Sequence, residues 1–391
     1  MKTTLKISFV VVLFMFVNSA ALGAAQYLIA NLNNPLSNQA NVYKLDTTSG
    51  ALTQIGALDT QGMGLGQSLA SIDSYTDIQQ AITSNASCIF VMDGGSNDIA
   101  TFSKSTNYAK VGSYSNSSLS SNYGGSLGLT PNGKFLYSSY GETGNIAAWV
   151  VNTDCSISFI GAYIPMASQQ PWPLHQFKIT PNGSGLVLPI SLATPAVELF
   201  TIDPTTGALT DMGYAQIDGC NACLLGGLDI TKDNKFAVVA ASNYNGVSAV
   251  PFAISIEIAP TGLVHPRRWD FSGKIVGNLV YNGDAFLDAG AYVGSGNLYF
   301  SAVGNGGNCG VITASFTEKP LSIQPTIATP IASQRVGSIA VTGSTMVIGE
   351  YPNQIGTYSI SPDGSLSLLS TTAIKNPKEA VFSFSPYPNM R

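Results

Sequence analysis

A single phrase recurs along the chain, and it constrains the fold more than any other feature. A strand of alternating apolar residues runs into a polar turn, and a second strand follows that begins with Leu or Ile. The clearest copies are Asn41-Val42-Tyr43-Lys44-Leu45-Asp46-Thr47-Thr48-Ser49-Gly50-Ala51-Leu52-Thr53 and Val197-Glu198-Leu199-Phe200-Thr201-Ile202-Asp203-Pro204-Thr205-Thr206-Gly207-Ala208-Leu209-Thr210. A third is Gln354-Ile355-Gly356-Thr357-Tyr358-Ser359-Ile360-Ser361-Pro362-Asp363-Gly364-Ser365-Leu366-Ser367, and weaker copies start near Asp98, Asn145, Val247 and Cys309. Alternation, a turn of Asp, Pro, Thr and Gly, then alternation again is a hairpin signal. A second hairpin phrase precedes most copies. Its best example is Leu127-Gly128-Leu129-Thr130-Pro131-Asn132-Gly133-Lys134-Phe135-Leu136-Tyr137, where Pro-Asn-Gly supplies the preset and left-handed φ values of a reversal.

Two hairpins per repeat make a four-stranded antiparallel sheet. Tyr43, Phe102, Trp149, Phe200 and Tyr358 align, with two degenerate copies between the last two, so the chain holds seven units. Tyr43 and Tyr358 lie 315 residues apart, six intervals of about 52, which suits the blades of a seven-bladed β-propeller. An array of β-sandwiches is the rival, but its domains would be nearer about 100 residues each. The strand Tyr27-Leu28-Ile29-Ala30 leads directly into the first copy. The segment Ala380-Val381-Phe382-Ser383-Phe384-Ser385-Pro386 reads as the missing innermost strand of that first blade, which would close the ring without a free edge.

Lys2 and Lys6, the apolar run from Ile7 to Val17 and the small residues Ser19 to Ala25 have the order of a secretory signal peptide. Residues 1–25 are therefore read as a cleaved leader and 26–391 as one propeller domain, secreted or periplasmic. The apolar run is short of the roughly 20 residues that a membrane span needs. Charged residues make up 10% of the chain, against about 25% in an ordinary soluble domain. Net charge is -5, and only Arg267-Arg268 approaches a basic cluster, so nucleic-acid binding is excluded.

The five cysteines are Cys88, Cys155, Cys220, Cys223 and Cys309, an odd number in an oxidising compartment. Cys220-Asn221-Ala222-Cys223 has redox or zinc half-site spacing. No helix pattern follows it, and two histidines in the whole chain leave a zinc site short of ligands. A loop disulfide between Cys220 and Cys223 is the preferred reading, and a second pair among the other three stays open. Asp93-Gly94-Gly95-Ser96-Asn97-Asp98 has oxygen ligands suited to calcium but lacks the full loop pattern, so it reads as a turn. No metal and no cofactor is expected.

The succession of strand, Asp-x-x-Thr-Gly-Ala-Leu-Thr, strand, then Pro-Asn/Asp-Gly resembles the lactonase-like propellers, which include the bacterial-type 6-phosphogluconolactonases and proteins with YVTN repeats. The resemblance spans nearly all of 26–391 and is specific for the fold rather than for an activity. It implies a central channel in which lactone-hydrolysing members use His, Arg and Glu side chains. His175, in Pro171-Trp172-Pro173-Leu174-His175-Gln176-Phe177, matches that element, and Arg335 and Glu379 complete the candidate catalytic set. In the register of Phe177, the positions equivalent to His175 are Ile78, Gly125, Gly226, Ala289, Gly337 and Ala380. Gly and Ala can neither take a proton nor hold an anion, so the channel mouth reads as nearly empty of chemistry.

One face carries more. Loops within the blades, together with the connections between blades, bring Trp172, Tyr140, Tyr244, Glu350 and Tyr351 to the same side as His175. Exposed aromatics there suit a protein partner or a small flat ligand. The leading expectation is an exported, monomeric, non-enzymatic propeller that binds an unknown protein or small molecule on this loop face. The alternative is a lactone hydrolase in which His175 activates water and Arg335 steadies the oxyanion.

Overall fold

The computed structural model describes residues 26–64, 81–120, 125–141, 143–165, 176–191, 195–219, 223–244, 249–271, 286–294, 296–303, 309–333, 335–351, 353–374 and 383–387. These residues form seven four-stranded antiparallel sheets arranged as the blades of a propeller, and no helix occurs among them. Blade one combines Gln26–Asn31, Gln39–Leu45 and Leu52–Asp59 with Ser383–Tyr387 on its inner edge. Blades two to seven occupy 82–115, 127–163, 178–216, 223–270, 286–331 and 335–373 in chain order. The innermost strand of each blade touches its counterparts in the blades before and after, round to Ser383–Tyr387 between Arg335–Thr342 and Ile82–Ser84. Closure is antiparallel, with Tyr27 opposite Tyr387, Ile29 opposite Ser385 and Asn31 opposite Ser383. The expected closing strand thus forms from Ser383 onward; 380–382 lie outside the described residues, as do 1–25, the segment read as a leader.

The repeated turn does two jobs. Asp46 Oδ1 accepts from the N–H groups of Thr48 and Ser49, and Asp203 Oδ1 from those of Thr205 and Thr206. These donors hold both carboxyls below the usual carboxylate range. Gly50, Gly207 and Gly364 then take positive φ, at 72°, 73° and 86°, which glycine adopts at no steric cost. Each of the three carbonyls also receives a hydrogen bond from the preceding blade. Thr357 Oγ1 donates to Gly50 O at 2.7 Å, Tyr137 Oη to Gly207 O at 2.8 Å and Thr313 Oγ1 to Gly364 O at 3.1 Å. The consensus that made the repeat legible therefore encodes blade docking as well as a reversal.

Blade three uses a different fastening. Cys155, at φ 69° in the shorter turn after Asn152, takes the left-handed position and is disulfide-bonded to Cys88 of blade two. Of the other cysteines, Cys309 keeps a buried thiol and Cys223 is disulfide-bonded. Cys220 lies outside the described residues.

The ladder between the third and fourth strands shifts register in every blade. Such bulges bend and twist an outer strand away from further pairing. Tyr43, Phe102, Trp149, Phe200 and Tyr358 stand at these shifts, and Ile256 and Ala314 take the place in blades five and six. Those are the two degenerate copies. Apolar side chains pack between neighbouring blades, as Tyr137, Phe177, Leu186 and Phe200 do between blades three and four.

Candidate functional site

An innermost strand is an edge strand whose side chains meet where the blades converge. Counting back from the turn after it, one register position faces Phe90, Tyr137, Val187, Val238, Tyr299 and Val347 of the second strands. Blades two, three and seven place small residues there: Thr83, Gly128 and Ala340. Blades four, five and six place Lys178, Asp229 and Tyr292, each partly exposed. A cation, a carboxylate and a phenol therefore follow one another around one arc of the inner rim.

Asp229 reaches into blade six, where its Oδ2 accepts from Val293 N at 2.8 Å. Burial pushes its carboxyl up from the ordinary value, opposed by the charge of Lys178 and by the amides of Val293 and Ile230. Burial and the nearby Asp229 carboxylate push the Tyr292 phenol up in turn. Asp229 thus lies within electrostatic range of both Lys178 and Tyr292. A lysine can meet an anion, and a carboxyl and a phenol can hydrogen-bond hydroxyls.

The small residues at the channel mouth have a backbone reason. The innermost strands of blades five, six and seven are bulged between Leu225 and Leu228, between Leu287 and Ala291, and between Val336 and Ile339. Gly226, Ala289 and Gly337, the counterparts of His175, all fall inside these bulges. In blade five the side chains of blade four complete the disrupted ladder. Gln176 Oε1 accepts from Leu228 N at 2.8 Å and Ser191 Oγ from Leu225 N at 2.8 Å.

Of the residues expected to act, His175, Trp172 and Glu379 lie outside the described residues. The backbone places Arg335 first on the innermost strand of blade seven, Tyr244 last on the second strand of blade five, and Tyr351 last on that of blade seven. Tyr140 and Glu350 were expected on an exposed loop face, and both are buried. Tyr140 packs between blades two and three with Met92 and Ile99, and burial pushes its hydroxyl up to about 12. The Glu350 carboxylate accepts from Tyr358 Oη at 2.6 Å and from Gln354 Nε2 at 2.5 Å, in the space beside Gly356. Tyr140 ends its second strand and Glu350 stands one residue before the end of its own, so both side chains belong to packed sheet rather than to the loop beyond it. Asp93 and Asp98 bracket a hairpin turn, and among the described residues no group of three or more His, Cys, Asp or Glu side chains is placed to hold a metal. No helix of the described residues is long and apolar enough to cross a membrane.

No protein-family model matches the chain, and no curated protein matches it in sequence. Solved structures do. A protein from Lactobacillus plantarum superposes with a TM-score of 0.66 at 14% identity, over 93% of this chain and 99% of that one. A periplasmic gluconolactonase from Pseudomonas aeruginosa gives 0.65 at 14% identity, with the same coverages of 93% and 99%. A putative 6-phosphogluconolactonase from Bacteroides uniformis gives 0.65 at 10% identity, again over 93% and 99%. With the seven-bladed ring and these neighbours, the chain has the fold of the 6-phosphogluconolactonase-like propellers.

Proposed function

We propose that this chain is an exported, non-enzymatic propeller that binds a small hydroxyl-bearing anion at the inner rim, on Lys178, Asp229 and Tyr292. The observation that carries the reading is the run of these three residues at one register position, where blades two, three and seven have Thr83, Gly128 and Ala340 and blade one has Ser385. A lysine would meet the charge of a sugar acid, and the neighbouring carboxylate and phenol its hydroxyls. Asp229 already accepts from Val293 N, which suits a fixed binding group better than a proton acceptor that must turn over.

Titration calorimetry with gluconate, 6-phosphogluconate and glucose tests the reading. An anion should bind where glucose does not, and Lys178→Ala should weaken it tenfold or more, about 1.4 kcal/mol. Equal affinity for the anions and glucose, or an unchanged affinity in Lys178→Ala, would remove Lys178 from the site.

The second reading is lactone hydrolysis, favoured by the gluconolactonases among the structural neighbours. His175 would then activate water and Arg335 steady the oxyanion. Turnover of a lactone panel that is lost in His175→Ala would select this reading over simple binding.

A further inference from the structure

Three segments meet over blades one and two around a buried carboxyl that the proposed channel site does not use. They are 32–38 within blade one, 60–64 leading out of it, and the 94–97 turn of blade two. Asp93, its partner Asn38, and Asn31, which Asn38 also bonds, have no solvent exposure. Asn38 Oδ1 accepts from Asn34 N at 3.1 Å and Gln39 N at 2.9 Å, which fixes the orientation of that amide. Its Nδ2 must therefore face inward, and it donates to Asp93 Oδ1 at 2.6 Å and to Asn31 Oδ1 at 3.0 Å. Asp93 Oδ2 has no hydrogen-bond partner and lies against Gly62, where a side chain would collide with it.

The same three segments are tied by backbone bonds. Asn38 N donates to Gly62 O at 2.9 Å, Gly64 N to Asn34 O at 2.7 Å and Gly95 N to Met63 O at 2.8 Å. A carboxylate enclosed here would hold its charge with the Asn38 amide as its bonded donor, because the nearby Thr60 hydroxyl donates instead to Asn38 O at 2.9 Å, and this is costly in a dry site. Charged groups around it do little to change this. Asp98, across the hairpin, is of like sign and has Ser96 Oγ donating to its Oδ1. Lys110 is directed to Thr60 O and Gln61 Oε1, and Asp59 to Gln61 N. The 32–38 segment has no ionisable side chain.

We propose that Asp93 is a proton-operated latch on the loop face: as the neutral acid it holds the 32–38, 60–64 and 94–97 segments together, and as the carboxylate it loosens them. Burial, with Asp98 adding to it and Asn38, Thr60 and Lys110 opposing, pushes this carboxyl up to about 7. The sign follows from linkage. Below the ordinary Asp value of about 3.9 the folded and unfolded chains are both protonated, and the latch contributes its full stability. Between there and about 7 only the folded chain keeps the proton, so the contribution shrinks as pH rises and is gone above that range.

Two measurements on the full chain test the latch. The first is hydrogen exchange at the amides of Gly64 and Gly95 between pH 5 and 8.5, corrected for intrinsic chemistry, in the wild type and in Asp93→Asn, whose side chain mimics the neutral acid. Protection should fall at least tenfold across this range in the wild type and stay level in the variant. The second is the carboxyl ¹³C titration of Asp93 in the wild type, which needs no variant to fold. A midpoint near neutrality is expected; a midpoint near 4, or the same loss of protection in Asp93→Asn, would overturn the latch.

Discussion

Removal of the Cys88–Cys155 disulfide, as Cys88→Ala/Cys155→Ala, is expected to lower the stability of the oxidised protein by about 4 kcal/mol. The two residues are 67 positions apart, and a loop of that length loses about 4 kcal/mol of chain entropy in the unfolded state when it is closed. Position 155 adds a second effect. With φ at 69°, any L side chain there is strained by roughly 1 kcal/mol. A Cys88→Ala/Cys155→Gly variant should therefore recover about 1 kcal/mol relative to the double alanine. Denaturant midpoints of the three proteins, measured without reductant, check both statements. Equal midpoints in the two variants would mean that the turn in blade three is not held in the left-handed conformation.

Gly207→Ala is expected to cost about 2–4 kcal/mol. Its φ is 73°, and an added methyl group would run into the ring of Phe135 in blade three. The carbonyl bonded to Tyr137 Oη would have to move with it. Overpacking of this kind typically costs about 1–3 kcal/mol beyond the strain of the backbone. Gly213 is the control. Its φ is 86° and nothing lies within 4 Å of where a methyl group would stand, so Gly213→Ala should show the strain alone, about 1 kcal/mol. The difference between the two denaturant midpoints measures the docking of blade four onto blade three. If both variants lose the same amount, the turn does not dock.

The ring was legible in the sequence because its turns have narrow chemical requirements. An Asp that caps two amides, as Asp46 and Asp203 do, followed by a glycine at positive φ, leaves a written pattern. Blades five and six were harder to see because Ile256 and Ala314 replace the aromatic residue at the bulge. The partner of Cys88 was illegible for a different reason. The turn after Asn152 matches the one after Ser361 in length and sets Cys155 at the place of Gly364, but which cysteine lies opposite it depends on how the neighbouring blade docks. Lys178 and Asp229 did leave a signal: each stands two residues before a Thr that opens the same turn, in Phe177-Lys178-Ile179-Thr180 and Leu228-Asp229-Ile230-Thr231. Tyr292 left none, because the reversal from Gly294 to Asn297 in blade six lacks that Thr. Tyr140 and Glu350 were misplaced because a strand end resembles a loop in sequence, while burial depends on which side of the sheet the residue faces.

The pairing of Tyr27 with Tyr387 makes the termini of the described chain an interrupted hairpin, equivalent to the first reversal in each of the other six blades. Where the ring opens is thus a matter of covalent order rather than of geometry. Joining Tyr387 to Gln26 with a short turn, and cutting instead at an exposed turn between the third and fourth strands of another blade, would give a circular permutant with every sheet intact. Its folding rate would change with the new loop closures, and the architecture would not.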